Sequence, residues 1–207
     1  RTHRGGGESP DRVRCNAAAQ AFPLEAASQA PAQHVTAAGD RMQPQRWVPA
    51  YVALGSNLDE PAVQVARAMD ALGELPHTRL VLRSSLYRSR PFGPVEQPDF
   101  VNAVAGLLTT LEPARVLQCL QETETRLGRE RPVVRWGPRR IDLDLLAQGG
   151  TRIAQPELTL PHPGLAERAF VLVPLGEIAP DLVVPGVGSV RDLLSRVDSS
   201  GVERLAA

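Results

Sequence analysis

Four β-type segments and two amphipathic helical segments follow one another in this 207-residue sequence, in the order strand, helix, strand, strand, helix, strand. That order predicts an α+β fold with a ferredoxin-like βαββαβ core: an antiparallel four-stranded sheet, helices packed on one face, and a helical C-terminal extension. The apolar share of 43% is enough to fill such a core. Proline and glycine stand where the apolar spacing changes, as they do at element ends.

Residues 1–46 stand apart. They are rich in Gly, Ala, Gln and Pro and have little apolar periodicity, which predicts a disordered or barely helical extension. Residues 47–207 are expected to form a single domain; the sequence does not begin with Met, and Met42, just before the first ordered-looking segment, is a candidate start, with what precedes it an extension or a fragment. Ala50–Asn57, AYVALGSN, is a short apolar run closing on Gly-Ser-Asn, which predicts a buried strand followed by a turn. Pro61 opens PAVQVARAMDALGEL. Its apolar residues at 62, 65, 66, 69 and 72 line one helix face, and proline suits a first helical turn. Thr78–Ser89 alternates as a strand does. Pro91, Gly93, Pro94 and Pro98 predict a loop, and Phe100–Thr110 a third strand. Glu112–Gly128 is the second helix, with Pro113 at its start and Gly128 at its end. Ile141–Leu146 is the fourth strand, and Gly149-Gly150 predicts a hairpin turn. Helical segments follow in ERAFVLVPLGEIAP and SVRDLLSRV.

The formal net charge is zero, which argues against broad nucleic-acid binding. Every one of the 23 basic residues is arginine, so an anion site must use guanidinium groups. Cys15 and Cys119 have neither metal-ligand nor disulfide-framework spacing. Cys119 lies in an apolar helical pattern and is expected to be a small buried hydrophobe. No apolar run reaches membrane-spanning length, and Pro23 and Glu25 interrupt the Ala-rich part of the extension. A cytoplasmic monomer with no nucleic-acid and no membrane partner is the expectation.

The stretch RWGPRRIDLDLLAQGG carries the chemistry. Side chains two apart on a strand share a face. Ile141, Leu143 and Leu145 should therefore face the helices, and Asp142 and Asp144 the other side. Like charges so placed call for a cation, or for a proton on one of them. A solvated pair with arginine partners is one reading. A Mg²⁺ site with positions left for substrate phosphates is the other. The approach to the strand holds Arg129, Arg131, Arg135, Arg139 and Arg140 against one acid, Glu130. Such a cluster favours an anion clamp beside a metal, on a loop able to close over a nucleotide. Phosphoryl-type transfer fits, because positioning and charge neutralisation supply most of its catalysis. Neither a Walker A pattern nor a kinase Gly-rich loop is present. Arg139 directly precedes the strand and is expected to be fixed. Arg129, just past Gly128, is expected to arrive with loop closure.

YVALGSN, QPDFVNAV, RWGPRRIDLDLL and LPHPGLAERAFVLVPLGEIAPDL, in that order from about Ala50 to Leu182, together resemble the 6-hydroxymethyl-7,8-dihydropterin pyrophosphokinase family of folate biosynthesis. The resemblance implies a diphosphotransferase that moves the β,γ-pyrophosphoryl group of ATP to the hydroxymethyl oxygen of 6-hydroxymethyl-7,8-dihydropterin and releases AMP. It implies two Mg²⁺ ions on Asp142 and Asp144, with Arg129 and Arg139 on the transferring phosphates. It places Arg131 and Arg135 in the closing loop, and Gln121, Glu124, Leu145, Thr159, His162 and Arg168 at the ATP. For the pterin it implies stacking by Phe100 and Phe170, an amide contact from Asn102, closure by Trp136, and contacts from Ser89, Arg90 and Phe92. A flat ring dense in donors and acceptors suits aromatic faces and amides. Taken alone, the two phenylalanines read as core and His162, in Leu-Pro-His-Pro, as a turn residue; their ligand roles rest on the resemblance. Phe100 stands where the family often has Tyr, and Arg90 where Pro is also seen.

Readings from two other classes compete. A metal-dependent nuclease or nucleotidyltransferase could use the same aspartates, but it needs a third carboxylate and a basic track. A ferredoxin-like RNA-binding module needs exposed aromatics on its sheet, and YVALGSN and FVNAV supply no such pattern.

Overall fold

A computed structural model of the chain describes residues 46–91, 96–129 and 137–206. The predicted extension, Arg46 excepted, lies outside the described residues, and so do Met42, Phe92, Arg131, Arg135 and Trp136. The predicted core elements are β1 (Val48–Ser56), α1 (Pro61–Leu72), β2 (Thr78–Arg83), β3 (Tyr87–Ser89), β4 (Phe100–Thr109), α2 (Pro113–Arg126) and β5 (Asp142–Gln148). After them come β6 (Ile153–Ala154), β7 (Thr159–Leu160), α3 (Ala169–Ile178), β8 (Val183–Val184), β9 (Gly188–Ser189), α4 (Val190–Leu194) and β10 (Val202–Arg204).

The main sheet is antiparallel and runs β10-β3-β4-β1-β5, with β2 also paired to β4. The predicted strand Thr78–Ser89 is thus two strands on one neighbour. Ser84 makes the break: its N–H donates to the Val104 carbonyl at 3.0 Å, and its Oγ accepts the Val104 N–H at 2.9 Å.

One face of the sheet packs on α1 and α2. Val65, Ala68, Met69 and Leu72 of α1 and Val116, Cys119 and Leu120 of α2 meet Val52, Leu54, Leu107, Leu143 and Leu145. Leu54, Leu72, Leu107 and Leu120 are at most 1% exposed, and burying each contributes about 2 kcal/mol. Cys119 is buried, as its helical position requires. The buried face of α1 is turned slightly from the predicted one: Gln64 and Ala68 are inside and Ala66 outside. Gln64 tolerates burial because its amide donates to the Asp59 carbonyl at 2.8 Å.

The other face corrects the expectation of helices on one side only. Tyr51, Ala53, Val104, Leu146 and Ala147 point there, and Val171, Leu172 and Leu175 of α3 cover them together with Val190 and Leu193 of α4. An apolar second face demands such a cover. Nor is the C-terminal region simply helical. β8 and β9 form a small ribbon, and β10 joins the main sheet beside β3. The Gly149-Gly150 turn is present, with Gly149 at φ 51°, but it closes no hairpin onto β5: β6 pairs with β7 instead.

Candidate active site

Strand register places the site. Gly55 of β1, which the sequence reading put in a turn, lies inside the strand, opposite Asn102 of β4 and Asp142 of β5. Directly paired residues of antiparallel strands share a face. Asn102, Gly55 and Asp142 therefore form a row on the α3 side of the sheet, and Phe100 and Asp144 continue it at alternate positions. A cavity opens where α3 begins. Arg168, the residue capping α3, lines it with Phe170, Ser89, Arg90, Gln97, Phe100, Asn102, Arg139, Asp142 and Asp144, over Ala53 and Gly55. Asn102 is buried and its Nδ2 donates to Ser89 Oγ at 2.9 Å.

Opposite charges converge on Asp142. Its Oδ1 accepts from Arg129 Nη1 at 2.6 Å, and its Oδ2 accepts from Arg139 Nη1. Arg129 Nη1 also donates to Glu124 Oε1, which accepts the Leu143 N–H at 2.8 Å. Glu124 thereby ties α2 to β5 between the two aspartates. Burial pushes its carboxyl up to about 7, against the downward pull of the Leu143 N–H and Arg129. For Arg129 burial opposes the charge, but Asp142 and Glu124 outweigh it and hold the guanidinium protonated. Arg129 Nε is buried with no hydrogen-bond partner among the described residues, a donor suited to an anion. Arg129 thus contacts Asp142 in this structure, as Arg139 does. Its side chain is 15% exposed against 23% for Arg139, and both already grip Asp142.

Asp144 has looser company. Its Oδ2 lies 4.0 Å from Arg168 Nη1 and 3.9 Å from His162 Nε2. Burial first, then the neighbouring Asp142 carboxylate, push it up to about 6. Burial, and then Arg168, pull His162 down to about 4, so the ring is neutral near neutral pH and its approach to Asp144 is not an ion pair. His162 Nδ1 accepts the Gly164 N–H at 3.1 Å, which leaves the proton on Nε2, facing Asp144. The His162 N–H donates to the Leu146 carbonyl at 2.8 Å, fixing the turn to β5.

The remaining predicted residues are spread more widely. Gln121 and Thr159 are exposed and do not line the cavity, and the Leu145 side chain is buried in the α1–α2 core. Glu124 faces inward rather than into the cavity. Phe92, Arg131, Arg135 and Trp136 lie outside the described residues. Sequence reasoning missed Gly55 and Gln97 as lining residues, and Asn57 behind them. The signal for Gly55 was a glycine interrupting an apolar run, a mark of close approach by another group. Asn57 gave no signal beyond its turn chemistry.

Asp142 and Asp144 offer oxygen alone, and no group of three or more His, Cys, Asp or Glu able to hold a metal occurs among the described residues. That donor set fits Mg²⁺, which binds through one or two carboxylates and fills its shell with water and phosphate. It does not fit zinc, which draws on nitrogen and sulfur.

The family profile of 7,8-dihydro-6-hydroxymethylpterin-pyrophosphokinase matches residues 51–180. This chain belongs to that family. Among pyrophosphokinase relatives, the 2-amino-4-hydroxy-6-hydroxymethyldihydropteridine pyrophosphokinase of Pseudomonas aeruginosa is 50% identical over 75% of this chain and 95% of its own length. The enzyme of the same name from Haemophilus influenzae is 46% identical over 72% of this chain and 92% of its own. A crystal structure of Plasmodium falciparum HPPK-DHPS with pterin and p-hydroxybenzoate aligns with a TM-score of 0.60 at 14% identity. The alignment covers 78% of this chain but 47% of that one, so the chain spans about half of that protein, and the likeness there is one of fold. No described helix is long and apolar enough to cross a membrane.

Proposed function

We propose that this chain transfers the β,γ-pyrophosphoryl group of ATP to the hydroxymethyl oxygen of 6-hydroxymethyl-7,8-dihydropterin, for folate biosynthesis. The pterin hydroxyl oxygen bonds to the β-phosphorus as its proton passes to water, the bond from that phosphorus to the α-phosphate oxygen breaks, and AMP leaves with that oxygen. The reading rests on family membership and on one local observation. Arg129 and Arg139 converge on Asp142, with Asp144 two residues on, in the cavity that Phe100, Asn102 and Phe170 also line.

Asp142 and Asp144 would hold two Mg²⁺ ions, which when bound neutralise the polyphosphate and polarise its oxygens. The protein supplies the rest. Arg129 and Arg139 are already desolvated and aimed at the same point, and their planar forks donate to the transferring phosphates. Arg131, Arg135 and Arg168 add positive charge around the ATP. Neutral His162 offers its Nε2–H, Leu145 its backbone alone, and Gln121 and Thr159 reach from the rim. Glu124 serves the nucleotide by holding Arg129. Phe100 and Phe170 sandwich the pterin and Asn102 reads its edge, while Ser89, Arg90, Phe92 and Trp136 enclose it. We read the core as ferredoxin-like, and residues 47–207 as one pyrophosphokinase domain acting as a cytoplasmic monomer.

Incubation with ATP, Mg²⁺ and 6-hydroxymethyl-7,8-dihydropterin should release AMP; ADP in its place would mean ordinary kinase chemistry and overturn the reading. A chain shortened to begin at Met42 should melt and turn over as the full chain does, because the residues before it have little apolar periodicity with which to dock. Loss of activity on shortening would give the first residues a structural role.

A further inference from the structure

Asn57 hydrogen-bonds to no side chain assigned to ATP or pterin, yet it is 2% exposed and its side-chain amide is fully committed. Its Oδ1 accepts the Arg139 N–H at 2.7 Å, and its own N–H donates to the Arg139 carbonyl at 3.0 Å. Its Nδ2 donates to Gln97 Oε1 at 2.9 Å and to the Pro98 carbonyl at 3.1 Å. The partners dictate which way the amide points: a backbone N–H can only donate and a carbonyl can only accept. One side chain therefore joins three segments. They are the end of β1 just past Gly55, the residue leading into β5, and the segment entering β4 at Phe100. Arg139 and Gln97 both line the cavity, Arg139 beside the aspartates and Gln97 close in sequence to Phe100.

We propose that Asn57 is a positioning residue that sets the distance between the two halves of the site. It fixes the main chain of Arg139, and hence the guanidinium on the phosphates, relative to the Gln97–Phe100 segment that carries the pterin. The inference rests on the pyrophosphokinase reading. Its physical basis is that two substrates react only when their reacting atoms are held close and aligned. A displacement of about 1 Å, made away from the chemistry, can cost about 10²-fold in rate. Each half-site keeps its own contacts without Asn57; what is lost is their register.

Asn57→Asp separates the two arms. A carboxylate oxygen still accepts from the Arg139 N–H, but the second oxygen faces the Pro98 carbonyl, which cannot donate, and Gln97 can meet it only by turning its amide over from the native orientation. The measurement is calorimetric binding of ATP analogue and pterin, each alone, beside the single-turnover rate of AMP release. Binding of each should stay within about threefold of the native chain, and the rate should fall by about 10²-fold. Gln97→Ala removes one arm from a less buried position, and should lower the rate by about tenfold with binding again kept. Gln97→Glu, whose oxygen still accepts from Asn57 Nδ2, should restore most of the rate, which a general loss of folding would not allow. An unchanged single-turnover rate in Asn57→Asp and Gln97→Ala overturns the proposal, as does a loss of binding that accounts for the whole loss of rate. If Asn57→Asp does not fold, the Gln97 pair decides. Should the native chain release no AMP at all, the functional reading falls, and the positioning role with it. Native turnover with unaffected variants sinks the positioning role alone.

Discussion

Asp142 and Asp144 share a strand face but not an environment: the first is gripped by two guanidinium groups, and the second sees charge only at about 4 Å. Both remain oxygen donors to a site that must neutralise a polyphosphate. Asp142→Ala or Asp144→Ala should therefore fold and lose at least about 10²-fold in turnover, as removal of one strong electrostatic stabiliser does. Full activity in the double alanine variant, measured as AMP release, would end the metal assignment. Arg129 tests the network from the other side. It serves Glu124 and Asp142 at once, and its side chain is 15% exposed. Arg129→Ala leaves buried Glu124 without its cation and Asp142 with Arg139 alone, and should cost about 3 kcal/mol in urea denaturation. Adding Glu124→Gln should recover part of that loss, since the buried carboxyl left behind is then gone. Strictly additive losses would show that the two side chains do not act as a pair.

At the scale of elements, β1 forms the floor of the cavity because residue 55 has no side chain. A Cβ there would stand 3.4 Å from Asn102 Oδ1 and 3.9 Å from Phe100 Cδ1, ordinary contact distances, so Gly55→Ala should fold normally. Gly55→Val suits a strand but projects two methyls between Asn102 and Asp142. Its melting temperature should hold while pterin affinity falls about tenfold or more by calorimetry, the cost of overfilling a shaped space. Unchanged affinity would place the pterin elsewhere. The strands also explain what the sequence made legible. Alternation and helix spacing located β1, α1, β4, α2 and β5, because each buries one regular stripe. The helices α3 and α4 were expected, but their place on the second face of the sheet was missed: Phe100–Thr109 is buried at nearly every position, the mark of a strand covered on both faces. The break between β2 and β3 left no trace in periodicity, because it depends on one hydrogen-bonded serine, Ser84.

For the molecule as a whole, the aspartate pair and the arginines were readable from local spacing, whereas Gly55, Asn57 and the inward turn of Glu124 arise from register between segments far apart in sequence. That register buries titratable groups, so stability must depend on pH. Glu124 is raised from 4.5 to about 7 by burial, so the native state holds its proton to higher pH than the unfolded chain does. The associated stability is fully present below pH 4.5 and is lost as pH rises through 7. Asp144, raised from 3.8 to about 6, acts in the same direction. His162, lowered from 6.5 to about 4, acts in the opposite one: its contribution is complete above pH 6.5 and is lost as pH falls through 4. The native profile mixes these slopes, but the difference between native and Glu124→Gln chains isolates one of them. In metal-free solution, urea denaturation should show the Gln variant gaining on the native chain by about 3 kcal/mol between pH 4.5 and pH 7, the linkage of one proton over that interval. The gain should stop above about pH 7, where the native carboxylate is ionised in both states. Parallel profiles for the two chains would mean that Glu124 titrates as an ordinary carboxylate, and that Arg129 and the Leu143 N–H fully offset its burial.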